Sequence, residues 1–262
     1  MLLRDRILSL QRGVFKVQFL NDSDQEIGSG SSFWSAGYLI TNNHVFIAPE
    51  SATKVRIQNA ELKEDISLDV WRSSLKSGST EQNHDFAILE LPDLVKFQPH
   101  SCEMKSHSGV LPGDDVFLLG FPFGSKSLVA HKGIISSKFT SNGVSQIQVD
   151  ASVNASNSGG PLIDISDGQV IGIVTRKATG LTRAFSDMKK LLDDDIDYMG
   201  SLSGVKESAG KQKGISLGGQ AYKTSVRLKS ALAEIERSAN VGIGYAFAID
   251  EIKDEIQNLR GY

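Results

Sequence analysis

Asn157-Ser158-Gly159-Gly160-Pro161-Leu162 sets a serine between a small polar residue and two glycines, just ahead of an apolar run. A serine in so tight a turn can lift its hydroxyl clear of the backbone, and glycines admit backbone angles that let an acyl group come close. A hydroxyl is a poor nucleophile until a base takes its proton during attack. A candidate base lies upstream in Thr41-Asn42-Asn43-His44-Val45, and a candidate acid to orient it in His84-Asp85-Phe86-Ala87-Ile88-Leu89. An imidazole needs one tautomer and one orientation, which a carboxylate secures. The oxyanion that develops needs preorganised donors, usually N–H groups beside the nucleophile. On this reading Ser158 attacks, His44 moves the proton and Asp85 holds His44. The oxyanion donors come from the stretch Ser156, Asn157 and Ser158, chiefly the N–H groups of Ser156 and Ser158.

Rival groups carry less. Asp65 and Asp69 lack the apolar strand that follows Asp85 and read as solvated. His84, His100, His107 and His131 read as surface or packed residues. The run Asp193-Asp194-Asp195 with Asp197 reads as a solvated helix face. Five histidines and the single Cys102 offer no zinc-ligand spacing, so neither a metal nor a cofactor is expected.

These residues need a scaffold, and the pattern around them is that of a β protein. Short apolar segments recur between turn signals at 14–20, 31–35, 37–41, 54–58, 66–72, 86–91, 116–120, 128–137, 145–150, 161–165 and 169–175. That rhythm predicts an all-β sandwich or barrel. A short helix is predicted over 2–11. Past Gly180 the period changes: Phe185, Met188, Leu192, Ile196 and Met199 fall at helical spacing, as do Ala221, Val226, Leu232 and Ile235. The Gly/Ser/Lys-rich stretch 200–219, with Lys206, Lys211 and Lys213, reads as a solvated tip between two helices. Alternation returns from Val241 to Ile249, and Asp250 is expected to cap a last helix over 251–260.

Bulk properties narrow the class. The chain has 262 residues, 40% hydrophobic content and a formal net charge of -3. A nearly balanced charge gives no electrostatic case for nucleic acid or an anionic membrane. No segment approaches the ~20 apolar residues of a membrane helix. One cysteine cannot form an internal disulfide, which suits a reducing compartment. The charged start Met1-Leu2-Leu3-Arg4-Asp5-Arg6 is no signal-peptide core, so a cytoplasmic setting is expected.

With the three fragments in the order His, Asp, Ser, the chain resembles a chymotrypsin-fold serine protease, and within that fold the HtrA (Deg) family. Matching stretches include Gly28 to Phe33, Leu39 to Val45, Asp85 to Leu89, Gly113 to Val116, Gly120 to Gly124, Gly133 to Ser136, Asn157 to Leu162 and Val170 to Thr175. Tyr245 to Ile249 matches the last barrel strand. The resemblance implies two six-stranded antiparallel β-barrels, about 13–100 and 110–250, with the active site between them. Residues 179–240 form a helical insertion without counterpart, and short helices lie at both ends. No PDZ domain is expected after the last strand.

The resemblance also marks departures. The position two before the nucleophile is normally Gly, and here it is Ser156, whose side chain restricts the backbone that must aim an N–H at the oxyanion. Asn157 stands where digestive proteases carry an Asp that binds a cleaved N-terminus, so activation by trimming is not expected. The S1 pocket would be lined by Ser152, Thr175, Arg176, Lys177 and Tyr245. Without an acid at Ser152, cleavage after Lys or Arg is not expected. Tyr245 makes the pocket shallow and favours a small aliphatic residue, while Lys177 would favour an acidic one. The implied function is a serine endopeptidase acting on protein or peptide substrates. The insertion would border S1 and gate it or dock a regulatory partner. The alternative is a latent or non-catalytic protease-fold module that binds peptides or partner proteins.

Overall fold

A computed structural model of the chain describes residues 2–177, 182–203, 217–238 and 242–261. The chain divides into two compact units, one made of Met1–Ala178 with Gly242–Tyr262 and the other of Thr179–Val241.

The first unit opens with α1 (Leu3–Leu10) and continues through β1 (Val14–Leu20), β2 (Glu26–Ser35), β3 (Tyr38–Thr41), the single turn α2 (Asn43–Phe46), β4 (Lys54–Gln58) and β5 (Lys63–Ser67). It goes on through α3 (Leu68–Ser73), β6 (Leu75–Ser79), β7 (Phe86–Leu89) and α4 (Pro92–Val95). The seven strands form one antiparallel sheet in the order β5-β4-β1-β2-β3-β7-β6. Its two end strands are consecutive in the chain and are joined by α3. A six-residue helix rises only about 9 Å, so the sheet curls round until its ends nearly meet, with α3 in the seam. Trp71 of α3 is fully buried there and donates its indole N–H to the Phe46 carbonyl at 2.8 Å.

The expected strand over 66–72 is therefore a strand end followed by a helix. Ser67 explains the switch, since its hydroxyl accepts the Val70 N–H at 3.2 Å and caps α3. β6 was not anticipated from the sequence, because its Leu-Lys-Ser-Gly-Ser lacks apolar alternation. β4 shows the opposite case: Val55 and Ile57 point inward and the residues between them face out.

The second half runs β8 (Asp115–Gly120), β9 (Val129–Ser141), β10 (Val144–Asp150), β11 (Pro161–Asp164) and β12 (Val170–Lys177), then β13 (Ile243–Ala248) and α7 (Asp250–Arg260) after the second unit. Its six strands close into an antiparallel barrel in the order β10-β13-β12-β11-β8-β9. Asp250 is the first residue of α7 rather than its cap, and its carboxylate accepts from the backbone and ring N–H groups of His107 instead.

Each sheet has a core of its own: Val17, Trp34, Val55, Trp71 and Leu89 in the first, Val116, Ile135, Ile147, Leu162 and Val174 in the second. A third apolar cluster joins the two. Phe33, Ile40, Phe86 and Ile88 from the first sheet meet Phe117, Ile163, Ile173 and Phe247 from the second, and Ile252 and Ile256 of α7 complete it. Burying side chains of this size contributes on the order of 1.5–3 kcal/mol each, so the two sheets behave as one body.

The second unit contains α5 (Thr182–Ser203) and α6 (Leu217–Ser238), which pack against each other. Leu192 and Leu232 are buried, and Lys229 pairs with Asp193 across the pair. Asp194, Asp195 and Asp197 are exposed, as expected of a solvated face. Lys206, Lys211 and Lys213 lie outside the described residues.

Candidate active site

His44 sits in α2, directly past the end of β3, and Asp85 directly precedes β7. β3 and β7 pair antiparallel with Thr41 opposite Ala87, so His44 and Asp85 lie just beyond the same end of two neighbouring strands. Asp85 is fully buried, and its carboxylate accepts three donors. Oδ2 takes the His44 Nδ1–H at 2.8 Å and the Thr175 hydroxyl at 3.0 Å, while Oδ1 takes the His44 backbone N–H at 3.1 Å. A carboxylate facing Nδ1 fixes the proton on that nitrogen and leaves Nε2 as the acceptor. His44 itself is one-third exposed, with a side-chain exposure of 33%.

This arrangement carries local strain, which two hydrogen bonds hold in place. Asp85 has a left-handed φ of 45°, uncommon for a residue with a side chain. Its N–H donates to the Thr80 carbonyl at 3.0 Å, and its own carbonyl accepts the Asn42 side-chain amide at 2.7 Å. Asn42 is fully buried. Nothing in the reading of the sequence singled out Asn42 for this task. Thr175 was expected on the wall of a substrate pocket, and its hydroxyl is instead spent on Asp85. Its place at the end of the apolar run Val170 to Val174 was the available signal.

Ser158 comes from the second half, in the turn between β10 and β11. The turn is docked onto the first sheet: the Ser158 carbonyl accepts the Ser31 N–H at 2.8 Å, and Gly159 N–H donates to Val174 at 2.8 Å. Gly159 must be glycine. Its φ is 87°, and a Cβ there would sit 2.1 Å from the Ser31 carbonyl oxygen and 2.4 Å from the Thr41 hydroxyl. The Ser158 hydroxyl donates to the Thr175 carbonyl at 2.6 Å, not to His44.

Ser156 adopts φ 70°, the left-handed conformation a glycine would take freely. The Ala155 carbonyl accepts Phe123 N–H at 2.8 Å. Because the peptide is planar and trans, the Ser156 N–H on the same unit points the opposite way. Among the described residues neither the Ser156 nor the Ser158 N–H has an intramolecular acceptor. Asn157 differs: its N–H donates to the Asn154 carbonyl at 3.1 Å. The expectation that Asn157 joins Ser156 and Ser158 as an oxyanion donor is corrected by that turn bond. The Asn157 side chain is fully buried, and both its polar atoms lack a partner among the described residues.

A cavity of about 340 Å³ opens beside His44, Ser156 and Ser158, walled by Phe19, Ser29, Val45, Ile47, Pro49 and Ala155. It contains none of the predicted S1 residues. Ser152 is exposed. Tyr245 lies on β13 with its ring edge-on to Phe139 at 6.1 Å. The side chains of Arg176 and Lys177 lie outside the described residues. Among the other histidines, His107 is engaged with Asp250, and burial pushes His131 below the usual imidazole range. Asp65, the rival acid, is held by Arg56 through two bonds of 2.5 and 2.7 Å, and Asp69 lies exposed in the first turn of α3. Among the described residues no group of three or more His, Cys, Asp or Glu could hold a metal ion.

Comparison with known proteins gives this geometry a context. The trypsin-like peptidase domain family matches residues 28–173, more than half of the chain. A probable periplasmic serine endoprotease DegP-like of Bartonella henselae is 34% identical over 152 residues, covering 56% of this chain and 27% of that protein. Human serine protease HTRA3 is 31% identical over 169 residues, covering 58% of this chain and 33% of that protein. The chain thus spans a third or less of the length of these two relatives. In fold it is similar to an HtrA-type protease AlgW solved with a tripeptide, with a TM-score of 0.61 at 19% identity, covering 98% of this chain and 63% of that one. With that family model covering more than half of its length, the chain belongs to the trypsin-like peptidase family.

Proposed function

We propose that this chain is a serine endopeptidase that cleaves protein or peptide substrates through an acyl-enzyme. The observation that carries the reading is the buried Asp85 carboxylate, 2.8 Å from His44 Nδ1, facing the turn that presents Ser158 beside the cavity. Substrate binding turns the Ser158 hydroxyl from the Thr175 carbonyl toward His44 Nε2. His44 takes the proton as Oγ attacks the scissile carbonyl, and Asp85 stabilises the imidazolium. The N–H groups of Ser156 and Ser158 receive the oxyanion. His44 then gives its proton to the leaving amine, and water repeats the sequence to release the acyl group. Absence of an acid at Ser152 argues against cleavage after Lys or Arg. A small aliphatic P1 residue fits Tyr245, and a P1-varied peptide library decides the preference.

Labelling with a fluorophosphonate probe tests the chemistry. The wild type labels and Ser158→Ala and His44→Ala do not; labelling that survives Ser158→Ala overturns the reading. One observation favours a second reading, a latent or non-catalytic protease-fold module that binds peptides or partners: the Ser158 hydroxyl rests on Thr175 and not on His44. Absence of labelling under every condition, with peptide binding retained, would select it.

The α5–α6 pair is proposed as the docking site of a regulatory protein partner. It carries exposed Met188, Leu191 and Tyr198 on α5 and Tyr222, Val226 and Ile235 on α6. Deleting 181–238 with no change in peptide hydrolysis or its specificity would rule out a regulatory role. A cytoplasmic setting rests on Cys102, single and buried, which needs no oxidising compartment. The DegP-like relative is named periplasmic, so fractionation of cells expressing the full-length protein is the deciding measurement. No described helix is long and apolar enough to cross a membrane.

A further inference from the structure

Ser156 presents a question that the reaction does not answer. It holds φ 70° although its Cβ opposes that conformation, so something must hold it there. Three hydrogen bonds grip it, one from the turn at Phe123 and two from β2. Phe123 N–H takes the Ala155 carbonyl at 2.8 Å, the Ser31 hydroxyl donates to the Ser156 carbonyl at 2.7 Å, and the Ser29 and Ser156 hydroxyls meet at 3.1 Å. Both peptide planes flanking the Ser156 α-carbon are thereby fixed, and its side chain with them.

One of these grips traces back to a buried charge. Lys16 lies in the middle of β1 and is 1% exposed. Its Nζ donates to the Gly124 carbonyl at 2.6 Å and to the Glu26 carboxylate at 2.9 Å. Gly124, at φ 70°, follows Phe123, at φ 52°. Two successive left-handed residues make a tight turn, and Lys16 ties that turn to the first sheet. The same turn supplies the Phe123 N–H. Glu26 also accepts the Gln18 amide at 2.5 Å. Burial pushes the Glu26 carboxyl up, but hydrogen bonding from Lys16 and Gln18 holds it below its ordinary value, so it stays ionised opposite the Lys16 ammonium.

We propose that Lys16 and Glu26 are positioning residues for the oxyanion site: Lys16, held by Glu26, fixes the Phe123–Gly124 turn, whose Phe123 N–H holds the Ala155–Ser156 peptide so that Ser156 stays left-handed with its own N–H unspent. This rests on the peptidase reading of the same site. A buried lysine and its partner thus do the work that the conformational freedom of a glycine would do at this position. The pairing accounts for a charged residue at the centre of a strand whose neighbours are all buried.

The test is a set of kinetic comparisons on a peptide substrate. Lys16→Met and Glu26→Gln are made in the wild-type chain and again in the Ser156→Gly background. Losing one oxyanion donor outright costs about 10²- to 10³-fold in kcat, so misplacing it is expected to lower kcat by roughly tenfold or more, with KM changed less than about threefold. In the Ser156→Gly background the same two substitutions are expected to cost less than about threefold, because glycine takes the conformation unaided. Unchanged kcat in both single variants overturns the proposal, and so does an equal loss in the two backgrounds, which would mark a general structural role. A crystal structure of Glu26→Gln reads the proposal without catalysis. An Ala155–Ser156 peptide that has turned over supports it, and an unmoved peptide overturns it. A wild type that neither labels nor turns over sinks the peptidase reading alone and leaves that structure to decide.

Discussion

Replacing Asp85 by Asn changes one atom and inverts the polarity of the two contacts that atom makes. The carboxylate accepts three donors in a site with no solvent exposure. In Asp85→Asn the amide oxygen keeps the His44 backbone N–H, and the Thr175 hydroxyl reverses to accept from the new NH₂. The His44 Nδ1–H then faces a donor, so the ring shifts its proton to Nε2, where it can no longer receive one from Ser158. The lost charge is a second effect. With the charge centres about 4 Å apart and an effective dielectric of about 20, a carboxylate stabilises an imidazolium by about 4 kcal/mol, about 10³-fold in rate. The tautomer adds on the order of another tenfold, giving about 10³- to 10⁴-fold, in line with the about 10⁴-fold cost of this change in a serine protease triad. Folding should change by only about 1–2 kcal/mol, because every partner can be re-paired. The assay is kcat/KM on a peptide, alongside the rate of fluorophosphonate labelling and a thermal melt. A loss under about tenfold in a folded protein would refute Asp85 as the residue that orients His44. A loss accompanied by a collapsed melting temperature would refute the claim that the two effects separate.

Other outcomes follow from the same contacts. Gly159→Ala drives a Cβ to within 2.1 Å of the Ser31 carbonyl oxygen at φ 87°; the turn must shift, so labelling at Ser158 should vanish and stability fall by about 1–3 kcal/mol or more by denaturant melt. Burial pushes the Cys102 thiol up to about 12, so a thiol reagent should leave the native chain untouched at pH 8 and react at full stoichiometry only after unfolding. Glu26 has a folded-state pKa below its unfolded value, so its contribution is present above the ordinary carboxylate range and is lost as pH falls through the folded value. The melting temperature should therefore drop in acid by less in Glu26→Gln than in the wild type, and equal slopes would contradict the Lys16–Glu26 pairing.

What could be read from the sequence was local. The nucleophile turn, the base and the acid each sit in a short motif, and their order along the chain placed them on two halves that meet. β4 was legible because Val55 and Ile57 alternate with polar residues. α3 was not, because Leu68, Val70 and Trp71 mimic a strand, although Ser67 and Asp69 carried the start signal of a helix. β6 was invisible because an edge strand of one Leu followed by Lys, Ser and Gly has no apolar period. The contacts that tune the site are long-range and had no such signature. Thr175 reaches Asp85 across 90 residues, and Lys16 reaches Gly124 across 108. A lysine within Val14 to Leu20 does break the apolar pattern, and that break was the one available hint of a buried ion pair.

Whether the chain is active by default turns on two different atoms. The sequence directed attention to Ser156, whose side chain should resist the conformation an oxyanion donor needs. In the structure that resistance is met by Phe123, Ser29 and Ser31, and the Ser156 and Ser158 N–H groups are unspent among the described residues. The departure from a working arrangement lies instead in the Ser158 hydroxyl, which rests on the Thr175 carbonyl at 2.6 Å. Its size decides what it means. A neutral hydrogen bond contributes about 0.5–1.5 kcal/mol net, and swapping it for one to His44 recovers most of that. The residual penalty is at most about tenfold in rate, reached by rotation about a single side-chain bond on the ps–ns timescale of rotamer flips. That is too small to silence a peptidase. A latent state would require the peptide before Ser156 to turn over, breaking the Phe123 and Ser29 contacts together, and those contacts are where a regulator of this chain would have to act.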